Sequence, residues 1–105
     1  MSSQYLYRVA PTRASFLLES TPEEDAIVGE HFQYLKALTE HGVVLLAGRT
    51  LNTDAASHGL VVMAADSEAH ARSLMENDPA VKAGVFRAEL FPFSIALVSE
   101  SILSL

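Results

Sequence analysis

Residues 42–65 read GVVLLAGRTLNTDAASHGLVVMAA, two apolar runs on either side of a polar loop. The runs Val43–Ala47 and Leu60–Ala65 are apolar at every position and have the length of strands. Uninterrupted apolar runs are typical of strands whose two faces are both buried. We therefore expect two central strands of a sheet, joined by the loop Thr50–His58.

Helix signals flank this pair of strands on both sides. Thr21 can cap a helix, Pro22 suits its first position, and Glu24 can close a capping box with Thr21. Gly42 can adopt the left-handed conformation that ends a helix. Ser67 is a comparable cap at the start of a second helix.

The order of these elements predicts the fold class. The expected elements, in chain order, are a first strand of Tyr5–Val9 and Ala14–Leu18 interrupted at Pro11, a helix from Thr21 to about His41, the strands Val43–Ala47 and Leu60–Ala65, a helix Ser67–Asn77 with a short Pro79–Ala83 turn, and a last strand Val85–Leu97. This β-α-β-β-α-β order predicts an α+β, ferredoxin-like fold, with both helices on one face of an antiparallel sheet. Because the central strands are apolar on both faces, the uncovered face should be buried by a second copy, and we expect a homodimer.

Composition excludes several classes of protein. The chain has 105 residues, which fits a single domain over 1–105, and it contains no cysteine for disulfides or thiolate metal sites. A net charge of −6 argues against nucleic acid as a partner. No apolar run is long enough to span a membrane, and the first residues lack the features of a secretion signal, so we expect a cytoplasmic protein with no membrane partner. The four histidines show no metal-ligand spacing, and we expect no metal.

His31 and Asp78 are the residues most suited to chemistry. His31 lies four residues from both Ile27 and Leu35, which places its imidazole on the apolar face of the first helix. Asp78 continues the apolar stripe of the second helix, so a carboxylate also points inward. An aspartate beside a histidine fixes the imidazole tautomer, as a general base requires. A buried structural histidine and an aspartate that only caps the Pro79 turn are the alternatives.

Further residues are candidates for contacting a substrate. Arg49 follows the first buried strand directly and is placed to orient an anion, although a salt bridge at the rim also explains it. Arg13, Tyr34 and His58 are the other candidates, on the first strand, the first helix and the loop.

These residues together resemble the YCII-related (YciI-like) family over about residues 13 to 97. The similar segments are His31–Lys36, Gly42–Gly48, Ser67–Asn77, Asp78–Gly84 and Glu89–Phe93. The resemblance implies a dimeric α/β barrel with a His–Asp pair in its pocket, at His31 and Asp78. One relative of this type eliminates chloride from a chlorinated hydroxyhydroquinone, and the wider superfamily includes muconolactone isomerases and cofactor-free monooxygenases.

The chain departs from the family pattern at two places. Residues Met1–Thr12 form an extension of the first strand, and Arg49 stands where many members have proline.

The sequence leaves two hypotheses about function open. One is an enzyme that isomerises a small cyclic or phenolic substrate, or eliminates a group from it, without a cofactor; the other is a module that binds small molecules or assembles and contains a structural His–Asp pair.

Overall fold

The computed structural model describes residues 3–105, so that Met1 and Ser2, the start of the expected extension, lie outside the described residues. The described elements are β1 (Ser3–Pro11), α1 (Pro22–Glu40), β2 (Val44–Arg49), β3 (Gly59–Ala65), α2 (Glu68–Glu76), α3 (Pro79–Lys82), β4 (Phe86–Phe93) and a 3-10 helix (Glu100–Ser104).

The four strands form one antiparallel sheet in the order β2-β3-β1-β4. In the register of the central pair, Tyr7 lies opposite Val61, and on the other side of β1 it lies opposite Leu90. This strand order, together with the helices between the strands, is that of a ferredoxin-like fold. The predicted α+β fold class is confirmed.

The helices pack on the face of the sheet that carries Tyr7 and Val61. Leu35 of α1 and Met75 of α2 join these strand residues and Met63 in one buried apolar cluster. The local helix signals act as expected: the backbone N–H of Glu24 donates to Oγ1 of Thr21 at 3.1 Å, and the N–H of Thr21 donates to Oε1 of Glu24 at 2.8 Å. Gly42 ends α1 with a φ of 74°.

The other face of the sheet lies opposite the one on which α1 and α2 pack. By register, Leu6, Val62 and Phe91 point to this side, as does Phe93 opposite Gln4. Val62 is buried, whereas Phe91 and Phe93 remain 44% and 40% exposed. An apolar face of this kind is typical of a surface that another element or another chain covers.

Three sequence expectations about the strands are wrong. Residues 14–18 are turns and not a second half of β1, because Pro11 ends the strand and the chain folds back towards the start of α1. Val85–Leu97 is too long, since β4 ends at Phe93. The run Val43–Ala47 is not a central strand; β2 lies at the edge of the sheet and leaves Leu45 and Leu46 exposed.

No helix among residues 3–105 has both the length and the apolar character needed to cross a membrane.

Candidate active site

His31 and Asp78 contact each other directly. Nδ1 of His31 lies 2.7 Å from Oδ1 and 2.8 Å from Oδ2 of Asp78. A carboxylate oxygen accepts hydrogen bonds, so Nδ1 carries the hydrogen and Nε2 is the basic nitrogen of the neutral ring. The predicted approach of these two side chains, from different helices, is confirmed.

Asp78 is completely buried, at 0% exposure, and its carboxylate accepts from three groups. Besides His31, the hydroxyl of Tyr7 donates to Oδ2 at 2.7 Å, and the backbone N–H of Ala80 donates to Oδ1 at 3.0 Å. The last bond is the N-cap of α3 that the Asp78-Pro79 sequence predicts. A buried carboxylate is tolerated only when it is well bonded, and these contacts meet that condition.

Tyr7 is the site residue that the sequence analysis missed. It lies on the central strand β1 with 1% exposure, and burial, together with the neighbouring Asp78, raises the pKa of its hydroxyl strongly. The hydroxyl is therefore a permanent donor to Asp78. Strand alternation could have found it, because it places Tyr7 on the same face as Val9, and a buried tyrosine hydroxyl needs a partner.

Aromatic contacts fix the plane of the His31 ring. Phe86 packs edge-on against the imidazole, with ring centroids 5.4 Å apart and an angle of 88° between the planes. Phe16 packs against Phe86 in the same way at 5.7 Å. The imidazole side chain is 14% exposed, so it is held on both sides while one part of it reaches solvent.

His31 lines a cleft of about 770 Å³ between α1 and the sheet. This volume is in the range of sites for small molecules. The walls are mostly apolar, and Phe32, which is 62% exposed, marks the open side. Residues that line the cleft include Val9, Phe16, Val28, Leu35, Lys36, Glu40, Arg49, His58 and Phe86.

The structure brings two of the other candidates to this cleft. Arg49 lies at the end of β2, and His58 lies at the end of the following loop. Nδ1 of His58 is 2.7 Å from the carbonyl oxygen of Ala56, which can only accept, so that Nε2 is its basic nitrogen. Within residues 3–105, no group of three or more His, Asp or Glu side chains is arranged to hold a metal ion.

Arg13 does not line this cleft. It borders a smaller depression, and its Nε donates to Oε2 of Glu24 at 3.0 Å. This contact raises the pKa of the Arg13 guanidinium and lowers that of the Glu24 carboxyl to about 2. Because Arg13 lies in a turn and not on a strand, its side chain turns to the start of α1 and holds the capping box.

Tyr34 does not line the cleft either. Its hydroxyl donates to the carbonyl oxygen of Leu74 in α2 at 2.7 Å, and burial raises the pKa of this hydroxyl. Tyr34 follows His31 by three residues, so its side chain is rotated by about 60° around the helix axis from that of His31, and its hydroxyl reaches α2. It therefore joins the two helices and does not contact a ligand in the cleft.

A family model for the YCII-related domain matches residues 5–94. The chain belongs to this family. The match begins at residue 5, so most of β1, which the sequence analysis treated as an extension, lies within the family model. No curated protein is similar enough to this YCII-related chain to count as a relative.

Solved structures that resemble the YCII-related chain include the following two. The first is 5-chloro-2-hydroxyhydroquinone dehydrochlorinase (TftG) from Burkholderia phenoliruptrix AC1100, in complex with 2,5-dihydroxybenzoquinone. It has a TM-score of 0.62 and 22% identity, over 86% of this chain and 93% of that chain. The second is the uncharacterized protein TM1266 from Thermotoga maritima, with a TM-score of 0.56 and 12% identity, over 90% of this chain and all of the other. At these identities the likeness supports the fold.

Proposed function

We propose that this YCII-related protein is a lyase or isomerase that transfers a proton on a small cyclic or phenolic compound without a cofactor. The observation that carries the proposal is the pair of contacts at 2.7 and 2.8 Å between Nδ1 of His31 and the buried carboxylate of Asp78. Asp78 orients the ring, and Nε2 of His31 is then the general base beside the cleft.

The chemistry needs one proton acceptor and a held substrate. Nε2 of His31 takes a proton from a ring hydroxyl or a ring carbon, and the electron pair left behind moves into the ring. In an elimination, an anion then leaves a ring carbon with its bonding pair; in an isomerisation, Nε2 returns the proton to another ring atom. Asp78 stabilises the imidazolium formed in between. A positioned base of this kind contributes about 10²–10⁴-fold to the rate.

The structural neighbour TftG suggests where to look for substrates. That protein is a dehydrochlorinase of a chlorinated hydroxyhydroquinone and was solved with a dihydroxybenzoquinone bound. Both compounds are small rings with several oxygens, and a cleft of about 770 Å³ accommodates rings of this size. Chlorinated hydroquinones, catechols and small lactones are therefore the first compounds to test.

We also propose that the protein is a homodimer with its two sheets packed face to face. The support is the face of the sheet opposite α1 and α2, where Phe91 and Phe93 are 44% and 40% exposed. Light scattering at micromolar concentration is expected to give about twice the chain mass of 11.3 kDa. A mass of one chain would contradict the dimer.

The cytoplasmic location stays a prediction from the sequence.

The test of the catalytic proposal compares His31→Asn with His41→Asn. His41 follows the end of α1, is exposed and does not line the cleft, so its variant is a matched control. His31→Asn removes the base while Tyr7 and Ala80 still bond Asp78, so the fold should persist. Chloride release or the change in ring absorbance is followed over the compound panel.

The expected result is turnover by wild type and His41→Asn and none by His31→Asn. Turnover retained in a folded His31→Asn would contradict the role of the imidazole. Compounds that bind to wild type but are never converted would support the binding module instead.

A further inference from the structure

Two cationic side chains line the cleft without an ion-pair partner. Lys36 of α1 and Arg49 of β2 both contribute to its wall, and neither has a carboxylate within 4.0 Å among residues 3–105. The chain has 13 acidic and only 7 basic residues, so partners are plentiful. Arg13, by contrast, is fully engaged by Glu24. Unpaired cations beside a cleft are available to a ligand.

The charge around the cleft favours an anion with a single charge. Glu40 also lines the cleft and offsets one of the two cations. Asp78 is completely buried behind His31 and does not line the cleft. One net positive charge is therefore left at the wall, and it complements a carboxylate better than a dianionic phosphate. The planar guanidinium of Arg49 also matches the two oxygens of a carboxylate.

The rest of the wall is apolar and partly aromatic. Phe16, Phe32, Leu35 and Phe86 line the same cleft as the two cations and His31. Aromatic and aliphatic side chains of this kind bury the faces and edges of a ring, while a few polar groups orient it. A suitable ligand therefore combines a flat apolar body with one anionic group.

We propose that the cleft binds cyclic monocarboxylates, with the carboxylate on Arg49 and Lys36 and the ring against the aromatic wall beside His31. This proposal rests on the proposed function only for the choice of cleft, since it concerns binding and not turnover. Arg49 and Lys36 would then determine which substrates bind. His31 keeps its role as the general base of the proposed reaction.

The test is calorimetric binding of salicylate and of its neutral amide, salicylamide, at neutral pH. The two probes share ring and hydroxyl and differ in the charge of one substituent. Wild type should bind salicylate at least about tenfold more tightly, as expected for a charge-assisted contact. The variants Arg49→Gln and Lys36→Gln should each reduce this preference, and the double variant should abolish it. Arg72→Gln, an exposed arginine of α2 that does not line the cleft, is the matched control.

Several results would overturn the proposal. They are no measurable salicylate binding, equal binding of the two probes by wild type, an unchanged preference in the double variant, and tighter binding of phenyl phosphate than of salicylate. The same titrations on His31→Asn separate the two proposals. This variant should keep the preference for salicylate whether or not wild type shows any turnover.

Discussion

Replacing Tyr7 with phenylalanine tests how the buried carboxylate of Asp78 is held. The substitution removes one hydroxyl and leaves the ring that packs in the core. It deletes the 2.7 Å bond to Oδ2 of Asp78, where His31 then remains as the partner. Hydrogen bonds to charged groups contribute about 1.5–3 kcal/mol, so we expect Tyr7→Phe to lower the free energy of unfolding by this amount.

Tyr34→Phe is the matched control, because the chemical change is the same and the acceptor differs. The Tyr34 hydroxyl donates at 2.7 Å to the uncharged carbonyl oxygen of Leu74. Neutral hydrogen bonds contribute about 0.5–1.5 kcal/mol, and charge-assisted bonds are about twice as strong. Tyr7→Phe should therefore cost about twice as much stability as Tyr34→Phe.

Urea unfolding followed by circular dichroism measures both variants at one fixed protein concentration, since a dimer would make stability depend on concentration. Equal losses for the two variants would refute the view that Tyr7 bonds an ionised carboxylate. A loss of activity in Tyr7→Phe without any loss of stability would refute it as well.

Three further predictions concern stability. The asparagine of Asp78→Asn offers one acceptor oxygen to three donors, so its free energy of unfolding in urea should fall by about 1–3 kcal/mol. A variant as stable as wild type would show that the three bonds are not all needed. Glu24→Gln keeps a group able to close the capping box but loses the ion pair with Arg13. The contact with Arg13 is the main reason why the pKa of Glu24 is lowered from 4.5 to about 2. Wild type should therefore melt at a higher temperature than the variant above about pH 4.5, and this difference should vanish as the pH falls towards 2. A difference in melting temperature that does not depend on pH would contradict this. Deletion of residues 1–11 removes the central strand β1, so the truncated chain should show no cooperative thermal transition, and an unchanged melting temperature would be incompatible with the sheet order.

Features encoded by neighbouring residues could be predicted from the sequence. The capping box at Thr21 and Glu24, the glycine that ends α1 and the Asp78 cap all depend on residues a few positions apart. The approach of His31 to Asp78 spans 47 residues, and two helical stripes on one sheet face, together with the resemblance to the YCII-related family, predict it.

Features that depend on the direction of a side chain or on the position of a strand were harder to predict. Periodicity placed Tyr7 in a strand but could not show that its hydroxyl meets a carboxylate 71 residues away. An apolar run such as Val43–Ala47 predicts that its side chains are buried, but it does not show what buries them. It therefore does not distinguish an edge strand from a central one. Arg13 and Tyr34 do not line the cleft as expected, because Arg13 bonds Glu24 and the Tyr34 hydroxyl bonds Leu74. These partners are distant enough in sequence that spacing alone does not reveal them.

The three bonds on Asp78 have a consequence for how this site can change over evolutionary time. The carboxylate joins β1, α1 and α3, so selection for folding alone would preserve it in a descendant that had lost all activity. Folding constrains His31 less, because it supplies only one of these three bonds whereas Asp78 accepts all of them. Under the proposed function, an aspartate at this position in a homologue is therefore uninformative about catalysis, whereas replacement of the histidine would indicate loss of the proton transfer.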